Sequence, residues 1–226
     1  RYEVGLPDAR PELSFNADLS VRWQMGRWSG QVAGYRSQID RYLYVQPTNT
    51  QVTVVTQEGD TASLPLYRFV QTARAVLWGM DVATEVEALP FLTFRGRFDF
   101  VRGTNRETAE PLPLMPPPRG DLEAELHTAG ARGGGRARSP GRAYLSAGTE
   151  LVARQTRLGP FDTPTGGYTL LNLGAGLERA LHGRNLTFDV RVRNATDARY
   201  TDFLSRYKLF AYGQGRNVIF RAAMEF

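Results

Sequence analysis

The chain has no cysteine, one lysine and two histidines in 226 residues. The first absence excludes a disulfide scaffold, thiolate metal sites and cysteine nucleophiles. No run approaches the roughly 18–20 apolar residues of a membrane helix, and the mean hydropathy is -0.37. A helical span is therefore excluded. A membrane β-barrel is not, because its strands hide apolar residues in alternation. The opening Arg1-Tyr2-Glu3-Val4 has neither the apolar core nor the small-residue cleavage site of a leader. The chain reads as a fragment, or as a mature chain cut from something longer. No phosphate-cradling loop, G-x-S-x-G or H-E-x-x-H is present.

What is present suits sheets. Aromatics are 11%, with ten Tyr and twelve Phe, and hydrophobic residues are 42%. Lys+Arg is 28 against Asp+Glu 23, a net charge of +5. Cations and anions alternate along the same segments, whereas a nucleic-acid protein concentrates its cations. The Arg132–Arg142 segment is rich in Arg and Gly but holds no aromatic for bases to stack on. No nucleic-acid partner is expected.

Period-two alternation dominates. Leu92, Phe94, Phe98 and Phe100 stand against Thr93, Arg95, Arg97 and Asp99. Leu186, Phe188, Val190 and Val192 stand against Thr187, Asp189, Arg191 and Arg193. The pattern predicts nine long strands, near 12–24, 29–44, 75–88, 91–101, 120–130, 141–154, 167–180, 184–195 and 217–226. Most match the roughly 9–11 residues of a tilted membrane strand. Short links at Met25–Trp28, Leu89-Pro90 and Leu181–Gly183 alternate with long ones at 45–74, 102–119, 155–166 and 196–216. Short turns on one rim and long loops on the other are a barrel pattern. Ala131–Pro140, with Gly133-Gly134-Gly135, breaks it by being too long for a tight turn.

The fold expected is all-β: an antiparallel transmembrane β-barrel segment of about nine up-and-down strands, open or incomplete. Lipid takes the apolar face, and a polar lumen takes the charged one. A turn at Leu89-Pro90 puts Asp81 opposite Arg97 and Glu85 diagonal to Arg95, in pairs worth about 0.2–1 kcal/mol each.

Four places resemble the C-terminal half of a TonB-dependent outer-membrane receptor. Glu12-Leu13-Ser14-Phe15-Asn16 after Gly5-Leu6-Pro7 is similar to the start of a mid-barrel strand. Gln71-Thr72-Ala73-Arg74-Ala75 leading to Gly79-Met80-Asp81 resembles a further family strand, with Asp81 where Glu is usual. Pro111-Leu112-Pro113-Leu114-Met115-Pro116-Pro117-Pro118-Arg119 resembles a proline-rich family loop. Asn194-Ala195-Thr196-Asp197, Tyr200, Gly215-Arg216-Asn217 and Phe226 resemble the closing strands.

The resemblance implies residues 1–226 of a larger receptor, lacking its plug domain and N-terminal strands. That receptor takes up a scarce nutrient, such as an iron-siderophore or metal complex, across the outer membrane of a Gram-negative bacterium. A TonB-type periplasmic partner drives it through the missing N-terminal region. Outer-membrane lipid and the barrel-assembly machinery are the other implied partners, and Phe226 is the implied assembly signal. The Ala198–Arg216 loop resembles that of zinc or copper receptors but lacks their histidines. The substrate stays open between iron chelates, metals and other small nutrients.

Candidate ligand contacts near the outer lumen are Arg36 and Asp40 on the second strand and Arg97 and Asp99 on the fourth. His127 shares a face with Glu123 and Glu125, a grouping able to move protons or hold a metal. A polar row of the lumen wall is the favoured account. No catalytic residue, bound metal or cofactor is expected. The rival readings are a self-contained small barrel, acting as a passive pore or an enzyme, and a soluble β-rich binding module. The last requires Phe94, Phe98, Phe188 and Phe220 to be sealed beneath a second layer.

Overall fold

A computed structural model describes residues 1–55, 59–128, 141–181 and 184–225. Ten strands form one sheet: β1 (Tyr2–Val4), β2 (Leu13–Met25), β3 (Trp28–Val55), β4 (Thr61–Leu89), β5 (Leu92–Asn105), β6 (Arg119–His127), β7 (Arg142–Val152), β8 (Tyr168–Leu181), β9 (Arg184–Arg193) and β10 (Asn217–Glu225). From β2 to β10 every strand pairs antiparallel with its sequence neighbour, and the path does not close. β2 and β10 are its edges. The nine long strands lie where the alternation predicts them. No helix among the described residues is long and apolar enough to cross a membrane.

The register sorts the faces, because directly paired residues point the same way. Val86, Val82 and Met80 of β4 pair with Phe94, Phe98 and Phe100 of β5. Phe188 and Val190 of β9 pair with Leu177 and Ala175 of β8 and with Ala222 and Phe220 of β10. These side chains form one apolar surface, and none of the described residues covers it. Phe94 is 46% exposed, Phe98 37%, Phe188 52% and Phe220 76%. The wall is therefore one layer thick, and the reading as a soluble β-rich binding module fails on this observation. In hydrocarbon such a wall keeps its backbone groups paired internally, as lipid requires.

Two expectations need correction. The 45–74 segment is not a loop, since β3 and β4 run through it as a hairpin whose strands reach 28 and 29 residues. That is more than twice a membrane-spanning strand, so its upper half stands outside the membrane. Pro47, Thr48, Asn49 and Pro65 read as loop punctuation. The sheet accommodates them at an irregularity between Pro47 and Gln51, with Asn49 at φ 59°. Above the end of β5, β1 pairs in parallel with Leu66, Tyr67 and Arg68 of β4. The chain between β1 and β2 therefore crosses β4 and β3.

The second correction concerns register. The β4–β5 hairpin turns through Pro90-Phe91, with an irregularity between Glu87 and Leu89. This shifts the pairing by two residues. Asp81 faces Asp99 rather than Arg97, and Glu85 faces Arg95 directly. The 131–140 linker lies outside the described residues.

Candidate functional site

The side chains opposite the apolar surface line a cavity of about 960 Å³ on the concave side of the sheet. Its organising cation is Arg95, on β5. Arg95 Nε donates to Glu85 Oε2 at 2.8 Å on one side. Its Nη1 donates to Glu123 Oε1 at 2.7 Å and Glu125 Oε2 at 2.8 Å on the other. Arg142 of β7 also donates to Glu125 and lies 3.8 Å from Glu178 of β8. Five neighbouring strands are thus tied by two guanidiniums, whose planar forks suit several carboxylates at once. Glu123 and Glu125 are engaged in this way, and His127 Nε2 lies 3.2 Å from Thr93 Oγ1. Among the described residues, no group of three or more His, Asp or Glu is placed to hold a metal.

In the row of His127, Tyr144 of β7 reaches across Gly176 of β8 to donate its hydroxyl to Asp189 of β9. A Cβ at Gly176 would meet the Tyr144 ring. The glycine is there because a side chain on the adjacent strand needs its space.

The four predicted contacts separate. Arg97 pairs with Asp121 and Asp99 with Arg119, both on the concave face. Arg119 in turn lies 3.6 Å from Glu150. Arg36 and Asp40 belong to the other face, which corrects their expected place in the lumen. Arg36 pairs with Trp78, and Asp40 pairs with Arg74 in a 2.7 Å ion pair. Phe226 lies outside the described residues.

Above the cavity, three connections interlock. Leu112, in the 106–118 connection, is 1% exposed, and its side chain lies over Gly103. Asp162, from the 153–167 connection, accepts from Leu114 N at 3.0 Å and Gly159 N at 2.9 Å. Gln155 Nε2 donates to Met115 O at 2.5 Å, and Ala153 N donates to Pro118 O at 2.9 Å. The prolines are thus part of a packed scaffold. Arg157 donates to Gly103 O and Thr104 Oγ1, each at 2.8 Å. Lys208, from the 194–216 connection, donates to Thr163 O at 3.3 Å. Asn194 closes that connection by bonding Ala198 through both its amide nitrogen and oxygen.

Electrostatics in this cap follow burial and neighbours. Burial first, then the charges of Glu150 and Asp202, push the Tyr200 phenol up and keep it a neutral donor. Burial and the neighbouring Arg102 lower the Arg157 pKa. Glu107 accepts from the Thr72 hydroxyl and the Ala73 N–H, which hold its carboxyl below the usual range.

Arg95 and its carboxylates were legible as alternating charges. Asp162, Arg157 and Lys208 carry no periodic signal, so sequence reasoning missed them. The cavity and cap can surround a small polar solute with donors, acceptors and rigid aromatics such as Tyr168 and Tyr200, whose ring centroids are 4.4 Å apart. Among the described residues of the site, none is an activated nucleophile.

The sequence profile of the family "TonB dependent receptor-like, beta-barrel" matches residues 2–195. No curated protein matches at a significant level. Among solved structures, the chain is similar to the copper transporter OprC, with a TM-score of 0.70 and 14% identity over 93% of this chain and 30% of that one. The ferric preacinetobactin receptor BauA of Acinetobacter baumannii gives a TM-score of 0.65 and 17% identity, over 94% of this chain and 29% of that one. The iron transporter FrpB of Neisseria meningitidis gives 0.61 and 10%, over 96% and 32%. The chain spans about 30% of the length of these structures.

Proposed function

Since the chain belongs to the TonB-dependent receptor-like β-barrel family, we propose that it forms the C-terminal part of the barrel of an active-transport receptor. The family places it in the outer membrane of a Gram-negative bacterium and makes it part of a receptor rather than an enzyme. The nutrient proposed is a scarce small solute such as an iron-siderophore or another metal complex. A TonB-type periplasmic protein is the proposed source of work, acting on a plug outside these residues. Lipid and the assembly machinery are the proposed remaining partners, with Phe226 as the assembly signal.

The single observation that carries this reading is the two-sided wall. One surface bears bare Phe, Leu and Val, and the other bears Arg95, Arg142 and their carboxylates around the cavity. A self-contained small barrel would need closure within these residues, and the sheet path among the described residues stays open. Arg97 and Asp99 remain proposed ligand contacts, because both face the concave side.

The test is uptake by the full-length receptor in cells lacking other receptors. Ferric siderophores and copper and zinc complexes are offered as labelled substrates. Saturable uptake of one of them, abolished when the TonB-type protein is deleted, is expected. Uptake that persists unchanged in that deletion would overturn the reading.

A further inference from the structure

Above the rim that carries Arg179, the described residues of the lipid-side surface are uncharged up to one row. There, Arg36 of β3, Trp78 of β4 and Arg102 of β5 lie side by side on three adjacent strands. All three are exposed. Among the described residues, neither Arg36 nor Arg102 has a carboxylate in ion-pair reach, whereas Asp40 and Arg74, higher on the same face, neutralise each other at 2.7 Å. The Arg102 guanidinium instead leans over the rings of Phe100 and Trp78, 5.2 Å and 6.0 Å from their centroids. Those rings meet edge to face at 5.1 Å. Arg157, anchored to Gly103 and Thr104, adds a third cation whose charge is felt by Arg102.

Immediately on the membrane side, Leu19, Gly34 and Met80 form the next row. A Cβ placed at Gly34 would touch only the Gly79 carbonyl oxygen, at 3.9 Å. A shallow slot therefore opens beneath Arg36, between Leu19 and Met80. Two uncompensated cations above a slot with apolar walls match one kind of occupant. Their backbones are two strand spacings apart, about 10 Å, so both long side chains can converge on one phosphate. Arginine recognises phosphate with paired, charge-assisted hydrogen bonds. A tryptophan at this height is typical of the membrane interface.

We propose that Arg36, Trp78, Arg102 and the Gly34 slot bind a phosphate-bearing lipid of the outer leaflet, with the phosphate on the arginines and an acyl chain along the slot. The inference rests on the reading of this surface as lipid-facing, and not on which nutrient is carried. The bound lipid supplies the counter-charge that the protein omits.

Native mass spectrometry of the full-length receptor tests it. Detergent micelles are doped with a bis-phosphorylated, multiply acylated glucosamine disaccharide or with the same lipid dephosphorylated. The phosphorylated form should be retained, and the double variant R36A/R102A should retain it roughly tenfold less. R36K/R102K should recover part of the loss. Gly34→Leu, which fills the slot and keeps both cations, should weaken retention on its own, so the proposal stands testable if the double variant fails to assemble. Arg179→Ala, on the same face at the opposite rim, should change nothing.

Equal retention of the two lipids would overturn the proposal. So would unchanged retention in R36A/R102A, or displacement of the lipid by inorganic phosphate, which would mark a soluble-anion site. Loss of uptake with lipid retention intact would count against the proposed transport alone.

Discussion

The wall and the cap above it are held together by different means. In the wall, strands β4 to β8 share a ladder of backbone bonds, and their side chains meet in rows fixed by a period of two. Arg95 and Arg142 bind carboxylates on the strands beside them. In the cap, the 106–118, 153–167 and 194–216 connections are joined by single polar contacts that no repeat dictates, among them Asp162 on Leu114 N and Lys208 on Thr163 O. The cap owns much of the little true core, with Leu112 at 1% and Phe203 at 2% exposure. A barrel wall takes its apolar cover from lipid, so only the part that stands in water has to bury a core of its own.

The sharpest way to break this contrast is to empty the cap. Leu112→Ala should cost about 3.5 kcal/mol, through lost burial and the cavity left over Gly103. Limited proteolysis of the full-length receptor should then cut within 106–118 and 153–167 while the barrel keeps its heat-modifiable gel mobility. Loss of that mobility as well would mean that wall and cap are one unit.

The converse change strikes the wall from its lipid side. Phe98→Arg should cost about 3 kcal/mol, the penalty for an arginine near the bilayer midplane. Outer-membrane fractions should contain much less assembled receptor. Arg97→Gln, one residue away on the concave face, should leave assembly nearly normal. If the two variants behave alike, the wall does not have two solvents.

A smaller effect is expected inside. Arg95→Ala leaves Glu85, Glu123 and Glu125 facing one another without their shared cation. For a fully buried cluster the loss would be about 3–5 kcal/mol. These side chains are partly open to solvent, and screening reduces the expected loss to about 2 kcal/mol. Urea titration of the purified receptor reads it, and an Arg95→Lys variant should recover only part.

The smallest effect is a pH dependence confined to the cap. Hydrogen bonds from Thr72 and Ala73 depress the Glu107 pKa. Stability from a depressed carboxylate is complete above its unfolded value, near 4.5, and is lost as pH falls through the lower folded value. Protease resistance of the 106–118 connection should therefore decline on the acid side of pH 4.5, and Glu107→Gln should flatten that decline.

The errors of the sequence reading have the same origin as its successes. Where one face is charged and the other aromatic, as in 91–101, parity is unmistakable. In β3 it is not: Trp28, Gly30, Val32 and Gly34 differ little in polarity from Ser29, Gln31, Ala33 and Tyr35. Charge alone therefore puts Arg36 and Asp40 in the lumen. Their pairing with Trp78 and Arg74 turns them outward. The Asp81–Asp99 pairing was hidden because it depends on an irregularity at Ala88 that leaves no compositional mark.

Alternation alone determined the number of long strands, their up-and-down order and the existence of two unlike faces, because the pleat forces successive side chains to opposite sides. Tertiary pairing alone decided which row each charge occupies, how far β3 and β4 rise above the membrane, and how the outer connections lock. Register is a relation between strands, and one displaced residue at a turn resets every contact above it.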